Sequence, residues 1–137
     1  MDTQKKRRRI AESIEKKSAW LCGLSDAIWD HPELAFREYF AKELLCDALL
    51  QEGFAVEAPV GGLPTAFLGR YGHGKPVIGI LGEYDALAGL SQQADVPEPR
   101  PLVPRGSGHG CGHNLLGAGS LAAAIAVKEY LEDTGLP

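Results

Sequence analysis

The sequence predicts an α/β fold, and three observations carry that prediction. Stretches of helical apolar spacing open the chain, short β-type runs follow, and an alanine-rich helical stretch closes it. The order helix, helix, strands, long loop, helix is what helices packed on a mixed sheet produce.

The first helix is expected from Ile10 to Trp29, where Ile10, Ile14, Leu21, Leu24 and Ile28 recur among Lys and Glu. "DHPEL" breaks it, and Pro32 suits the first turn of a second helix carrying Phe36, Phe40, Leu44, Leu45 and Leu49, closed by Gly53. "FAVEAPV" and "TAFLGRY" read as short strands. "PVIGILGEYDAL", apolar on both faces until its acidic end, reads as a central strand in a covered sheet. Residues 82–110 hold four prolines and little periodicity, which predicts a long, functional or mobile loop. "NLLGAGSLAAAIAVKEYLEDTG" then predicts a helix whose small-residue face allows close packing on the sheet. There is no internal repeat. "LVPRGS", 102–107, matches a thrombin recognition stretch and predicts an exposed segment, whether natural or engineered.

Composition narrows the function classes. At 137 residues with 45% hydrophobic and 23% charged content, the chain is ordinary for one soluble domain or part of one. A net charge of -4 argues against a general nucleic-acid binder, and the basic "KKRRR" at 5–9 reads as the solvated face of the first helix. Three scattered cysteines make no disulfide framework. The start lacks a signal-like apolar region and the longest apolar run is too short for a bilayer, so the expected location is cytoplasmic, with no membrane partner. Cys22 and Cys46, inside helical patterns, are expected as small core residues.

The chemistry concentrates in "RGSGHGCGHNLLGAG", 105–119. Cys111 and His113 stand two apart. On a helix such residues point about 200° apart, so they share a ligand only if the segment is extended or irregular, which Gly110 and Gly112 permit. The segment abuts a helix start, where a thiolate is favoured, and thiolate with imidazole suits Zn²⁺. A catalytic zinc takes three protein ligands and an open position, so further donors are needed. Glu83 and Asp85, at the end of the apolar run, are the candidates. Asp85 is the better fit to a carboxylate that orients a ligating histidine. Other readings stay open: Cys111 as a nucleophile with a histidine base, Asp85 as a turn cap, Glu83 as a solvated acid. A phosphate cradle is disfavoured because the segment lacks the P-loop lysine. His109 is a weaker candidate ligand, and His31 and His73 read as turn residues.

Taken together, "IWDHPELAFREYFAKELL", "GKPVIGILGEYDALAGLSQQA" and "GHGCGHNLLGAGSLAAAIAVK", in this order, resemble the N-terminal part of the metal-dependent amidohydrolases that include aminoacylases, carboxypeptidases and auxin-conjugate hydrolases. Asn114 after "CGH", where the auxin-conjugate branch has Asp, is similar to the branch acting on p-aminobenzoyl-glutamate. The resemblance implies a zinc-peptidase-like catalytic domain with two Zn²⁺ or Mn²⁺ per active site and a smaller dimerisation domain. It implies Cys111 and His113 as metal ligands and Asp85 as the orienting catalytic carboxylate. Glu83 stands where many relatives have the His of His-x-Asp, so it is not carried over as a ligand. The implied reaction is hydrolysis of an amide between an acyl or aroyl group and an amino acid. The implied partners are that small substrate and a second copy or second type of subunit. The family's later Glu-Glu pair and histidines do not occur here, so residues 1–137 are expected to be an N-terminal portion of the catalytic domain, inactive alone and prone to self-association. The rivals are a Cys111 thiol hydrolase and a non-catalytic α/β interaction module.

Overall fold

The computed structural model describes residues 2–136. Its elements are α1 (Thr3–Lys16), α2 (Ser18–Asp30), α3 (Tyr39–Gln51), β1 (Ala55–Glu57), β2 (Leu68–Arg70) and α4 (His113–Thr134). Helices with a small antiparallel pair of strands agree with an α/β piece of a peptidase-like domain.

The expected first helix is two, because Lys17 leaves helical geometry (φ -108, ψ 4) and α2 restarts behind it. The apolar stripe keeps its expected face: Leu21, Leu24 and Ile28 are buried. The second helix starts later than Pro32. Glu33 lies outside it and caps its first turn, its carboxylate accepting the Phe40 N–H at 3.0 Å and the Ala41 N–H at 3.1 Å. Phe36 therefore sits in the intervening turn at φ 65, exposed to solvent instead of in the core. Residues Leu45 and Leu49 of α3 are buried as expected. Past α3, Gly53 adopts φ 82, and the Phe54 N–H returns to the Leu49 carbonyl.

β1 and β2 form the expected strands, paired with Val56 opposite Gly69. The run at 76–87 does not form the expected central strand. Among the described residues no strand lies alongside it, and Val77 and Leu81 are each 86% exposed. Apolarity on both faces buries a strand only when neighbours and covering layers exist. What fixes this run is its far end: Leu34 bridges Ala86, the Ala86 N–H binds the Glu33 carbonyl at 2.7 Å, and Ser120 Oγ donates to the Leu81 carbonyl at 2.8 Å.

The close-packing face of α4 is real, but it meets helices instead of a sheet. α4 packs on α1, α2 and α3, and its Leu121 and Ile125 join Leu24, Ile28, Leu45 and Leu49 in one core. Gly117 lets residues 83–84 cross α4 closely: a Cβ there would stand 3.2 Å from the Glu83 carbonyl oxygen and from Tyr84 Cβ. The Tyr84 hydroxyl donates to the Thr65 carbonyl, which ties this crossing to the hairpin connection. Cys46 is buried as expected, whereas Cys22 faces solvent instead of joining the core. The basic run lies on the exposed α1, where Arg8 pairs with Glu12 and Arg9 with Asp133. No helix among the described residues is long and apolar enough to cross a membrane.

The ends of α1, α3 and α4 share an ion network: Lys17 Nζ reaches Glu52 at 2.5 Å and Glu129 at 3.4 Å, and Ser13 also donates to Glu129. Burial pushes the Glu129 carboxyl up, but the Ser13 hydroxyl and the Lys17 and Lys128 charges outweigh it and hold the group below its ordinary 4.5. A depressed folded pKa gives stability that is complete above the ordinary value and is lost as pH falls through the folded value. Glu129→Gln should therefore cost roughly 1 kcal/mol near neutrality. Urea unfolding should show that difference shrinking between about pH 6 and about pH 3. A difference constant across that range would remove Glu129 from the network's energetics.

Candidate functional site

Residues 82–110 carry no helix or named strand, yet the backbone is tied at several points. Leu87 and Gly108 exchange both N–H···O bonds at 3.0 Å, and the Ser91 N–H binds the Gly106 carbonyl at 3.0 Å. Between them the Gln92 side chain donates to the Val96 and Glu98 carbonyls and accepts the Arg100 N–H. The loop is thus pinched at its base, and Leu102 and Val103 of "LVPRGS" are exposed as expected. Pinching places Asp85, just before Leu87, against Cys111 and His113, just after Gly108.

Cys111 and His113 do not share a helix face. The Gly112 N–H binds the His109 carbonyl at 3.0 Å, and Gly112 takes φ 82 as the N-cap of α4, a conformation that favours glycine. The cap carbonyl then accepts the Leu115 and Leu116 N–H groups, so α4 begins at His113. The adjoining Asn114 is buried and donates Nδ2–H to Ser25 Oγ at 3.0 Å, locking the first turn of α4 to α2. In the sequence Asn114 serves only as a branch marker; this packing role carries no local signal.

His113 is the centre of the side-chain geometry. Its Nδ1 stands 2.7 Å from Asp85 Oδ1 and its Nε2 stands 3.1 Å from Glu83 Oε2. The Asp85 contact is the one anticipated for an orienting carboxylate. Cys111 is an exposed free thiol, and its Sγ contacts the Asp85 carbonyl at 3.9 Å. Asp85, His113 and Cys111 are therefore neighbours in the fold, and Glu83, the other candidate carboxylate, joins them.

His109 is almost fully enclosed, at 3% exposure, with neither ring nitrogen hydrogen-bonded among the described residues. Burial lowers its pKa, the His113 charge acts in the same direction, and the Ile28 carbonyl and Asp85 oppose them. His31 keeps the turn role expected of it, with Nδ1 3.1 Å from the Ala27 carbonyl and its ring stacked on Phe40.

The donor chemistry fits a borderline divalent metal: a thiol, an imidazole whose far nitrogen is fixed by a carboxylate, and an orphaned buried imidazole nearby. The donor count is short. Among the described residues no three His, Cys, Asp or Glu side chains converge on one point to hold an ion.

Comparison with known proteins supplies the class. No protein-family model matches the chain. Individual proteins do, and over the stretch it spans the chain belongs to the family of amide- and peptide-bond hydrolases that they make up. Within that family it is 52% identical over 128 residues to a subunit of the p-aminobenzoyl-glutamate hydrolase of Escherichia coli, a match covering 93% of this chain and 27% of that protein. It is 36% identical to the human Xaa-Arg dipeptidase over 94% of the chain and 28% of that protein. It is 31% identical to thermostable carboxypeptidase 2 of Saccharolobus solfataricus over 77% of the chain and 26% of that protein. The chain thus spans about a quarter of the length of the curated relatives it matches.

Proposed function

We propose that the chain is the N-terminal portion of the catalytic domain of a metal-dependent amidohydrolase. Its substrate is an N-acyl or N-aroyl amino acid of the p-aminobenzoyl-glutamate kind, the substrate named for one of its relatives. The observation that carries this reading is the His113 imidazole held at Nδ1 by Asp85, 2.7 Å away, with the Cys111 thiol beside the same residue. An imidazole that donates Nδ1–H to a carboxylate presents Nε2 as a lone pair of raised basicity, which is how metal-binding histidines are commonly prepared. Cys111 and His113 would be the ligands contributed by this chain. Zn²⁺ or Mn²⁺ bound there, two ions in the complete site, would supply Lewis-acid polarisation of the amide carbonyl and activation of water. Asp85 fixes the tautomer and angle of His113, and the Leu87–Gly108 bridge keeps Asp85 in reach.

The thiol-hydrolase rival lacks its base. Both ring nitrogens of His113 face carboxylates, and Cys111 Sγ contacts a backbone carbonyl instead of an imidazole. Assembly with a second copy or a second type of subunit is part of the proposal, supported by the exposed apolar Val77, Ile78 and Leu81. The proposed location is the cytoplasm.

Cobalt(II) titration followed by absorption tests the reading. The wild-type chain should develop a thiolate-to-metal band that Cys111→Ser abolishes. A folded wild-type chain with no such band would take Cys111 off the metal and leave the amidohydrolase reading without its centre.

A further inference from the structure

The stretch "LVPRGS", 102–107, takes no part in the site, yet its backbone is well defined. Val103 to Gly106 form a turn closed by the Gly106 N–H on the Val103 carbonyl at 2.9 Å. Pro104 stands at its second position, which the fixed φ of proline suits, and Arg105 at its third takes φ 60, where this turn favours glycine. Leu102, Val103, Pro104 and Arg105 are all exposed.

Ser91 holds both ends of the turn. Its hydroxyl oxygen accepts the Val103 N–H at 3.0 Å, and its own N–H donates to the Gly106 carbonyl at 3.0 Å. A serine protease takes its substrate extended, so the Arg105–Gly106 bond can be cut only after the turn opens. Opening breaks these bonds, and release of Arg105 from left-handed geometry offsets part of the cost. Beyond the turn the fold is anchored separately: Ser107 Oγ donates to the Pro32 carbonyl at 2.6 Å, Leu87 pairs with Gly108, and α4 packs on the other helices.

We propose that the Arg105–Gly106 peptide bond is a site of limited proteolysis by a thrombin-like, arginine-specific serine protease, and that Ser91 is the latch that sets how fast it is cut. Arg105 suits the acidic specificity pocket of such an enzyme, Pro104 the apolar site before it, and Gly106 and Ser107 leave the scissile bond uncrowded. Water adds across the bond, leaving a carboxylate on Arg105 and an amine on Gly106. Other basic positions are poorer targets: the run at 5–9 is inside α1, and Arg100 is followed by Pro101, whose ring blocks cleavage. The product is a two-chain protein, 1–105 and 106–137, held together by the packing of α4.

The test is thrombin digestion of the folded chain, followed by intact mass spectrometry, with Arg105→Gln and Ser91→Ala alongside and far-UV circular dichroism to confirm folding. The wild type should be cut first at 105–106, and Arg105→Gln should not be cut there. The two pieces should elute together from a sizing column in buffer and separate in denaturant. Ser91→Ala lacks one latch bond and should be cut roughly fivefold faster, since opening precedes cleavage. A folded wild-type chain that stays intact, or is cut first elsewhere, would overturn the cleavage site. A Ser91→Ala rate within about twofold of wild type would overturn the latch. Pieces that part in buffer would overturn the two-chain product.

Discussion

Gly108→Ala is expected to unfold the loop base and detach Asp85 from His113. A Cβ at residue 108 would collide with the Leu90 carbonyl oxygen and stand 2.5 Å from its carbon, both backbone atoms that no rotamer change can move aside. One of the two paired segments must therefore retreat, and Gly108 already uses its N–H and C=O on Leu87. The Ser91 to Gly106 bond lies in the path of the same displacement. Overpacking of this severity, with the loss of two or three backbone hydrogen bonds, should cost about 3 kcal/mol. Urea unfolding would read that cost as a lower midpoint. Cobalt titration of the remaining folded protein should show affinity falling as well, since the pinch is what brings residue 85 to residue 113. Wild-type stability with wild-type affinity would mean that the 87–108 bridge positions nothing.

The helices are legible because their apolar spacing is a local property. Leu21, Leu24 and Ile28 share a face whatever the rest of the chain does, and so do Leu45 and Leu49. What fails is any reading that requires a distant partner. Pro32 announces a helix start, yet the first turn of α3 is capped by Glu33 reaching forward from outside it, and that contact displaces Phe36 into the turn. The run at 76–87 has the composition of a central strand, but composition states only what would be buried if neighbours were present. Here Val77 and Leu81 lie open, while the run is held at Leu81 by Ser120 and at its far end by backbone bonds to Glu33 and Gly108.

The site divides along the same line. Cys111 and His113 stand out in sequence because two metal-binding side chains among glycines at a helix start are unusual. Asp85 can be placed because it ends an apolar run. Glu83 is readable as a candidate but not as a partner of His113, since that contact spans thirty residues and depends on how closely Gly117 lets the chain cross α4. Burial of His109 is not legible either: a histidine between two glycines looks exposed, and only the packing of the turn on α2 encloses it.

Asp85→Asn should separate orientation of His113 from maintenance of the fold. The Asp85 side chain is 24% exposed, and its polar contact is with the ring, so the isosteric amide should leave the unfolding midpoint nearly unchanged. Its chemistry differs at one point. A carboxylate can only accept the Nδ1 proton, whereas an amide can turn and donate to Nδ1, which moves the ring proton to Nε2 and covers the lone pair a metal needs. Loss of the partner that fixes a ligating histidine commonly costs about 10–100-fold in metal affinity, and that range is expected for cobalt here. Nitrogen NMR of the ring in the metal-free chain supplies the independent reading: the wild type should be protonated at Nδ1 and the variant mainly at Nε2. A variant with the wild-type tautomer and wild-type affinity would reduce the 2.7 Å contact to packing. A changed tautomer with unchanged affinity would show instead that His113 orients itself through Glu83, and would move the organising role from residue 85 to residue 83.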